Sequence, residues 1–261
     1  MRGSFTIVKI SDYTTQKGAQ YSDLSISFEV LGRELNSAPV LLLFHALTGN
    51  SNVCGEKEGW WKEIVGHKKV LDLDKYTVIS FNILGNGSRE NTIEKYTDFV
   101  AKDIAILSYQ AIQTLNINKV FAVIGGSLGG SIGWEFIANY PQFSTKLIAI
   151  ATDWKTTDWV KGICHTQEQI LLNSSSPLED ARKMAMILYR TPQGFSKKFN
   201  RRLNKQKESE VTSWLEYHGN QLKKRFDREA YLMMNNLLAS VDITNDKIFN
   251  FNLLKTQIIQ I

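Results

Sequence analysis

VIGGSLGGS, residues 123–131, decides how the chain is to be read. It follows the apolar run VFAVI (120–124) and precedes IGWEFIA (132–138), whose spacing is helical. A strand that ends on Gly125 and Gly126 and gives way at once to a helix leaves Ser127 on the turn between them. Gly125 and Gly129 fill the two glycine positions of G-x-S-x-G. There the backbone segments approach so closely that a Cβ would collide, and the serine is held in a strained conformation. Its hydroxyl then projects from the carboxyl edge of the sheet as a candidate nucleophile. The helix starting at Leu128 turns its first amide, and the positive end of its dipole, toward any oxyanion formed beside the serine. A phosphate cradle needs another spacing, G-x-G-x-x-G or a Walker-type Lys-Ser/Thr, which GGSLGG lacks.

The neighbouring segments supply the sheet this turn requires. LSISFEV (24–30) alternates apolar and polar residues, the period of a half-exposed strand, and Gly32 is expected to close it as a hairpin turn. PVLLLF (39–44), YTVISF (76–81), VFAVI (120–124) and KLIAIA (146–151) are continuous apolar runs, as in parallel strands covered on both faces. Between them, residues 60–65 read as a short helix. Residues 97–115 read as a long amphipathic one, with Phe99, Ile104, Leu107, Ala111 and Leu115 on one stripe. Strands alternating with helices predict βαβ units and a mostly parallel sheet. From Asp158 to about Val241 only helical patterning appears, including 177–189, 210–218 and 228–240; TQIIQI (256–261) then returns to strand character. The expected organisation is an α/β core over 1–157, a helical lid over 158–243 and a return to the core over 244–261.

Composition bounds the rest. A chain of 261 residues can bury one large core without staples. Two cysteines, Cys54 and Cys164, fit neither a disulfide framework nor a zinc spacing, which favours a reducing, cytoplasmic setting. No apolar stretch reaches the roughly 18 residues of a membrane span, and the N-terminus lacks a signal-peptide pattern. The formal charge is +5. Six basic residues lie in KKFNRRLNKQK (197–207), with no aromatic interleaving or module that would make the run a nucleic-acid site. No metal or cofactor site is read from the sequence. HALTG (45–49) follows the strand ending at Phe44, where hydrolases with a G-x-S-x-G turn place the second oxyanion amide; Leu47 is the expected donor. In that chain order the base follows the nucleophile, so His45 is read as a structural histidine.

Taken together, HALTG (45–49), GWW (59–61), LDLDKY (71–76), GGSLGG (125–130), SWLEYHG (213–219), RFD (225–227) and YL (231–232) resemble the homoserine O-acetyltransferases of the α/β-hydrolase fold. The resemblance runs from about residue 25 onward. It implies ping-pong acyl transfer in methionine biosynthesis: acetyl-CoA acylates Ser127, and the acyl group passes to the hydroxyl of homoserine. It also implies an arginine of the lid holding the amino acid's carboxylate. KFNR (198–201) matches that motif, which makes Arg201 the expected substrate-binding residue, with Arg202 beside it; a guanidinium suits a carboxylate geometrically. The resemblance further implies a homodimer formed through the lid helices. The chain departs from the family at Leu128, commonly methionine there, and in the short loop LGNGSRE (84–90), which leaves open succinyl-CoA as donor or serine as acceptor.

The family's catalytic aspartate follows the strand after the lid, and its histidine comes later still. Both, with the last strands and helices of the fold, are expected beyond Ile261. Asp153 with His165 or His218 has the required chain order, but those histidines match ordinary helical positions of the lid. A serine without its acid and base loses on the order of 10⁴ to 10⁶ in turnover. The chain as given is therefore expected to be nearly inactive. A serine esterase of the same fold and a non-catalytic binding relic are the alternative readings.

Overall fold

The computed structural model describes residues 3–55, 59–88, 93–245 and 251–261. Residues 89 and 90 of the short loop, and 246–250 of the return segment, lie outside these. Among the described residues a seven-stranded sheet has the order β1-β2-β6-β3-β7-β8-β9. It is formed by β1 (Ser4–Thr14), β2 (Gln20–Gly32), β3 (Val40–Phe44), β6 (Thr77–Phe81), β7 (Val120–Gly126), β8 (Ser144–Ile150) and β9 (Gln257–Gln260). The pairs β3–β6, β3–β7, β7–β8 and β8–β9 are parallel, while β1–β2 and β2–β6 are antiparallel. The expected mostly parallel α/β sheet is present.

The apolar runs are continuous because both faces of the central strands are covered. Leu42 and Phe44 of β3 pack with Val123, Leu128 and Phe136 on one face; Leu41 and Leu43 pack with Val53, Val65, Leu73 and Ile124 on the other. The first face is closed by α1 (Ala101–Gln113) and α2 (Leu128–Asn139). The second is closed by the loop carrying the two-residue strands β4 (Val65–Gly66) and β5 (Leu71–Asp72).

Two local expectations are corrected. Of residues 60–65, 60–64 form turns and Val65 starts β4, so no helix is present there. The Trp60 and Trp61 amides donate back to the Asn52 and Val53 carbonyls (3.2 and 3.1 Å), and the bonds along the segment end after one turn, with Ile64 and Val65 N–H both on Trp61 O, because Val65 enters β4. Gly32 does not close a hairpin, because β6 lies between β2 and β3 in the sheet. The hairpin partner of β2 is β1, and Gly32 (φ +82°) turns the chain where a Cβ would strike the Tyr76 carbonyl.

Between β8 and β9 the chain forms α3 (Asp158–Asn173), α4 (Pro177–Leu188), α5 (Pro192–Phe199), α6 (Glu210–Lys223) and α7 (Arg228–Ser240). The helical excursion leaves and re-enters the core through one short antiparallel contact: Thr156 N–H donates to Val241 O (3.0 Å) and Ile243 N–H to Trp154 O (3.3 Å). The Thr156 hydroxyl also donates to Leu238 O (2.6 Å), and Lys155 pairs with Asp242 (2.9 Å). β9 is an outer strand of the sheet, with Ile258 partly exposed and Ile261 largely so.

Candidate active site

Ser127 occupies the turn between β7 and α2 with φ 52° and ψ −126°, a region an L-residue adopts only when its surroundings enforce it. The enforcement is visible. Its N–H donates to Ile150 O of β8 (2.8 Å), and its carbonyl accepts from Gly130 N–H (2.9 Å) and Ser131 N–H (3.1 Å). A Cβ on Gly125 would land on the Gly129 carbonyl, and one on Gly129 would land on the Phe44 carbonyl. The two glycines are thus required by close approach. The side chain of Ser127 is half-buried, and its Oγ has no hydrogen-bond partner among the described residues.

Two amides are also unpaired among the described residues, that of Leu128, the residue after Ser127, and that of Leu47. Leu128 begins α2, so its N–H is one of the orphan donors at a helix start. Leu47 shares with Ser127 the lining of one cavity of about 370 Å³. An oxyanion formed on a substrate bound to Ser127 would meet the kind of donors that contribute about 3 to 4 kcal/mol each when preorganised.

His45 shapes the loop that carries Leu47. The ring is buried; Nδ1–H donates to Ala46 O (2.7 Å), while Nε2 accepts from Ile83 N–H (3.0 Å) and the Asn86 amide (3.0 Å). Burial lowers its pKa to about 4, so the ring is neutral at pH 7, consistent with the structural role read from the sequence. From the lid side, the Arg225 guanidinium donates to the Thr48 carbonyl (2.7 Å), which joins the loop to the C-terminal end of α6. The RFD segment carried no such assignment in the sequence, where an arginine at a helix end gives no sign of its partner. Asp227 of the same segment caps α7 by accepting from Ala230 N–H (2.6 Å).

Asp153 lines the cavity with Ser127, and its Oδ1 accepts from Trp154 N–H (2.8 Å). No histidine is among the residues lining that cavity. His165 is exposed on α3, and His218 of α6 packs edge-on against Trp214 (4.5 Å). Burial, with Arg182, Arg190 and Lys198 nearby, lowers the pKa of His218. His67 pairs with Asp74 (2.7 Å) on the surface. The structure therefore does not bring Asp153 and a histidine together at Ser127.

Arg201 lies just beyond α5, exposed, with φ 57°. It is not part of the cavity lining and has no partner among the described residues, whereas Arg202 is engaged by Glu210 (3.0 Å) and by Lys198 O (2.7 Å). Much of the cavity wall, from Trp159, Val160, Ile163 and Cys164 of α3 to Leu188 of α4, was not assigned from sequence. Its only sign there is an apolar stripe at helical spacing, which equally describes core packing. Among the described residues no group of three or more His, Cys, Asp or Glu side chains could hold a metal ion, and no helix is long and apolar enough to cross a membrane.

Residues 39–247 match the family model described as alpha/beta hydrolase fold. A homoserine O-acetyltransferase of Symbiobacterium thermophilum is 30% identical over 273 residues, covering 87% of this chain and 70% of that protein. The crystal structure of a homoserine O-acetyltransferase from Staphylococcus aureus superposes with a TM-score of 0.82 at 24% identity, over 98% of this chain and 79% of the other. That of an acetylester hydrolase from Corynebacterium glutamicum superposes equally, TM-score 0.82 at 19% identity, over 98% and 79%. The chain spans between 56% and 73% of the length of the curated relatives it matches. A strand-Ser127-helix turn with two open amides, on a sheet of this order and with these relatives, means that the chain belongs to the α/β-hydrolase fold and, within it, to the homoserine O-acetyltransferase family.

Proposed function

We propose that Ser127 carries an acyl group in a two-step transfer, from acetyl-CoA as donor to the hydroxyl of homoserine; the family's name supplies the acetyl group and the acceptor. The observation that carries this reading is the strained elbow at Ser127 with the unpaired Leu47 and Leu128 amides beside it. In the first step the Ser127 oxygen attacks the thioester carbonyl, the two amides hold the oxyanion, and coenzyme A leaves with the proton. In the second the acceptor hydroxyl attacks the acyl-serine and Ser127 is regenerated. Arg201, which lies in the lid and has no partner among the described residues, is the proposed ligand for the acceptor's carboxylate. Dimerisation through the lid helices and a cytoplasmic setting in methionine biosynthesis complete the reading.

Among the described residues no histidine lines the cavity at Ser127, so the chain as given is proposed to turn over slowly. Coenzyme A release from acetyl-CoA with and without homoserine tests both statements. Release that depends on homoserine supports transfer; turnover equal to that of an intact relative overturns the claim of slowness. A second reading, ester hydrolysis through the same acyl-serine, is favoured by one observation: Arg201 is not part of the cavity wall at Ser127. Release unaffected by homoserine would support hydrolysis.

A further inference from the structure

Asp153 is the one charged residue in the lining of the cavity beside Ser127, and the backbone fixes its place there. The Ser127 N–H donates to Ile150 O at the end of β8 (2.8 Å). Ala151, in the left-handed region at φ 50°, turns the chain at that point, and the Asp153 carbonyl accepts the Ser131 hydroxyl of α2 (3.1 Å). Nucleophile and carboxylate are thereby held at the same carboxyl edge of β7 and β8, on one cavity.

The fold does not use this carboxylate up. Its Oδ1 accepts the neighbouring Trp154 N–H (2.8 Å), and Oδ2 has no partner among the described residues. Lys155, the nearest cation in sequence, is committed to Asp242 (2.9 Å), and no lysine, arginine or histidine is among the residues lining the cavity. Other polar groups of the wall are engaged within the protein. The Ser131 hydroxyl bonds Thr152 Oγ1 (2.6 Å), Thr156 donates to Leu238 O (2.6 Å), Thr157 Oγ1 accepts the Val160 N–H (3.3 Å), and Gln167 Oε1 accepts the Tyr231 hydroxyl (3.2 Å). A half-buried carboxylate at a largely apolar space, with no countercharge, carries a desolvation cost that an arriving cation offsets. Trp159 and Tyr189 line the same cavity, and aromatic faces attract cations as well.

We infer that Asp153 is a specificity-determining residue that takes the ammonium group of the acceptor, so that the alcohol brought to Ser127 is an amino alcohol. The inference rests on an alcohol acceptor reaching the acyl-serine, the second step proposed above, and adds the group by which that acceptor is told from others. A zwitterionic amino acid bound in this way leaves its carboxylate to Arg201 of the lid, outside the cavity wall. An alcohol without an ammonium group gains nothing from Asp153, and one that carries only a carboxylate is repelled by it.

Binding to the full, unacylated chain provides the test. It needs no turnover, so absence of acyl transfer, read from coenzyme A release, and failure of this inference are separately visible. The probes are 3-aminopropan-1-ol, propan-1-ol and 4-hydroxybutanoate, titrated at neutral pH by NMR with the Asp153 carboxyl carbon and the Ser127 amide as reporters. The amine is expected to shift both reporters and to bind at least about tenfold more tightly than propan-1-ol, as a hydrogen bond to a charged group allows. The hydroxy acid should bind more weakly than the amine. Asp153→Asn removes the charge and keeps an oxygen for the Trp154 N–H; with folding checked by thermal unfolding, the preference for the amine should vanish. The three probes on the wild type decide the matter even if that variant does not fold. Amine and neutral alcohol binding alike, the hydroxy acid matching the amine, a preference that survives in Asp153→Asn, or amine shifts that spare Asp153 and Ser127 would each overturn the inference.

Discussion

Lowering the pH from 7 to 4 should destabilise the protein through His45. The neutral ring has both nitrogens committed: Nδ1–H donates to Ala46 O, and Nε2 accepts two hydrogen bonds. Protonating Nε2 would turn an acceptor into a donor facing two donors, in a place where the charge is also desolvated. The folded pKa is accordingly about 4, against 6.5 for a free histidine. Between those values the unfolded chain binds more protons than the folded one, so stability rises with pH across the window. The contribution is fully present above pH 6.5 and is lost as the pH falls toward 4. The difference corresponds to about 3 kcal/mol at pH 4. Urea unfolding at several pH values isolates it when wild type is compared with His45→Gln, whose side chain presents an uncharged acceptor to Ile83 and Asn86. The substitution has its own cost at every pH, and the carboxylates titrate alike in both proteins. The quantity of interest is therefore the change in their difference. The wild type should lose about 3 kcal/mol more than the variant between pH 7 and pH 4. Parallel profiles would refute the reasoning, because they would mean that the ring is not held neutral.

Ser127→Gly should stabilise the fold by about 1 kcal/mol, since relief of a strained φ of 52° exceeds the added chain entropy of glycine; thermal unfolding would show the gain, with loss of any acyl transfer. Gly129→Ala should cost about 3 kcal/mol or more, because the new Cβ meets the Phe44 carbonyl, a backbone atom with nowhere to move; denaturant titration measures it. Arg225→Gln should cost only about 1 kcal/mol in the same titration, as the lost bond to Thr48 O is exposed. The variant should nevertheless slow acylation of Ser127, because the loop carrying the Leu47 amide loses its tie to the lid. Unchanged acylation would show that the tie does not position that amide.

The elements that sequence made legible are those with strong local signatures. The parallel strands could be located from LLLF, VISF and FAVI because burial on both faces demands unbroken apolar residues. The elbow followed from glycines at Gly125 and Gly129 whose necessity is steric and local. What sequence did not show depends on partners distant in the chain. GWWKEIV has helical spacing, yet its Trp60 and Trp61 amides bond to a loop eight residues upstream and its last residue enters β4. Gly32 looks like a hairpin turn until β6 is found between the strands it joins. The wall contributed by α3 is indistinguishable from core packing in one dimension. Arg201 matches a motif, yet its placement outside the cavity depends on the turn after α5, which sequence does not determine.

Peptide mapping by mass spectrometry after prolonged incubation with an activated acetyl ester, in wild type and Ser127→Ala, tests the central claim most directly. The account predicts a single acetyl group on the peptide containing Ser127 and none at that position in the variant. Acetylation elsewhere with Ser127 unmodified would contradict it.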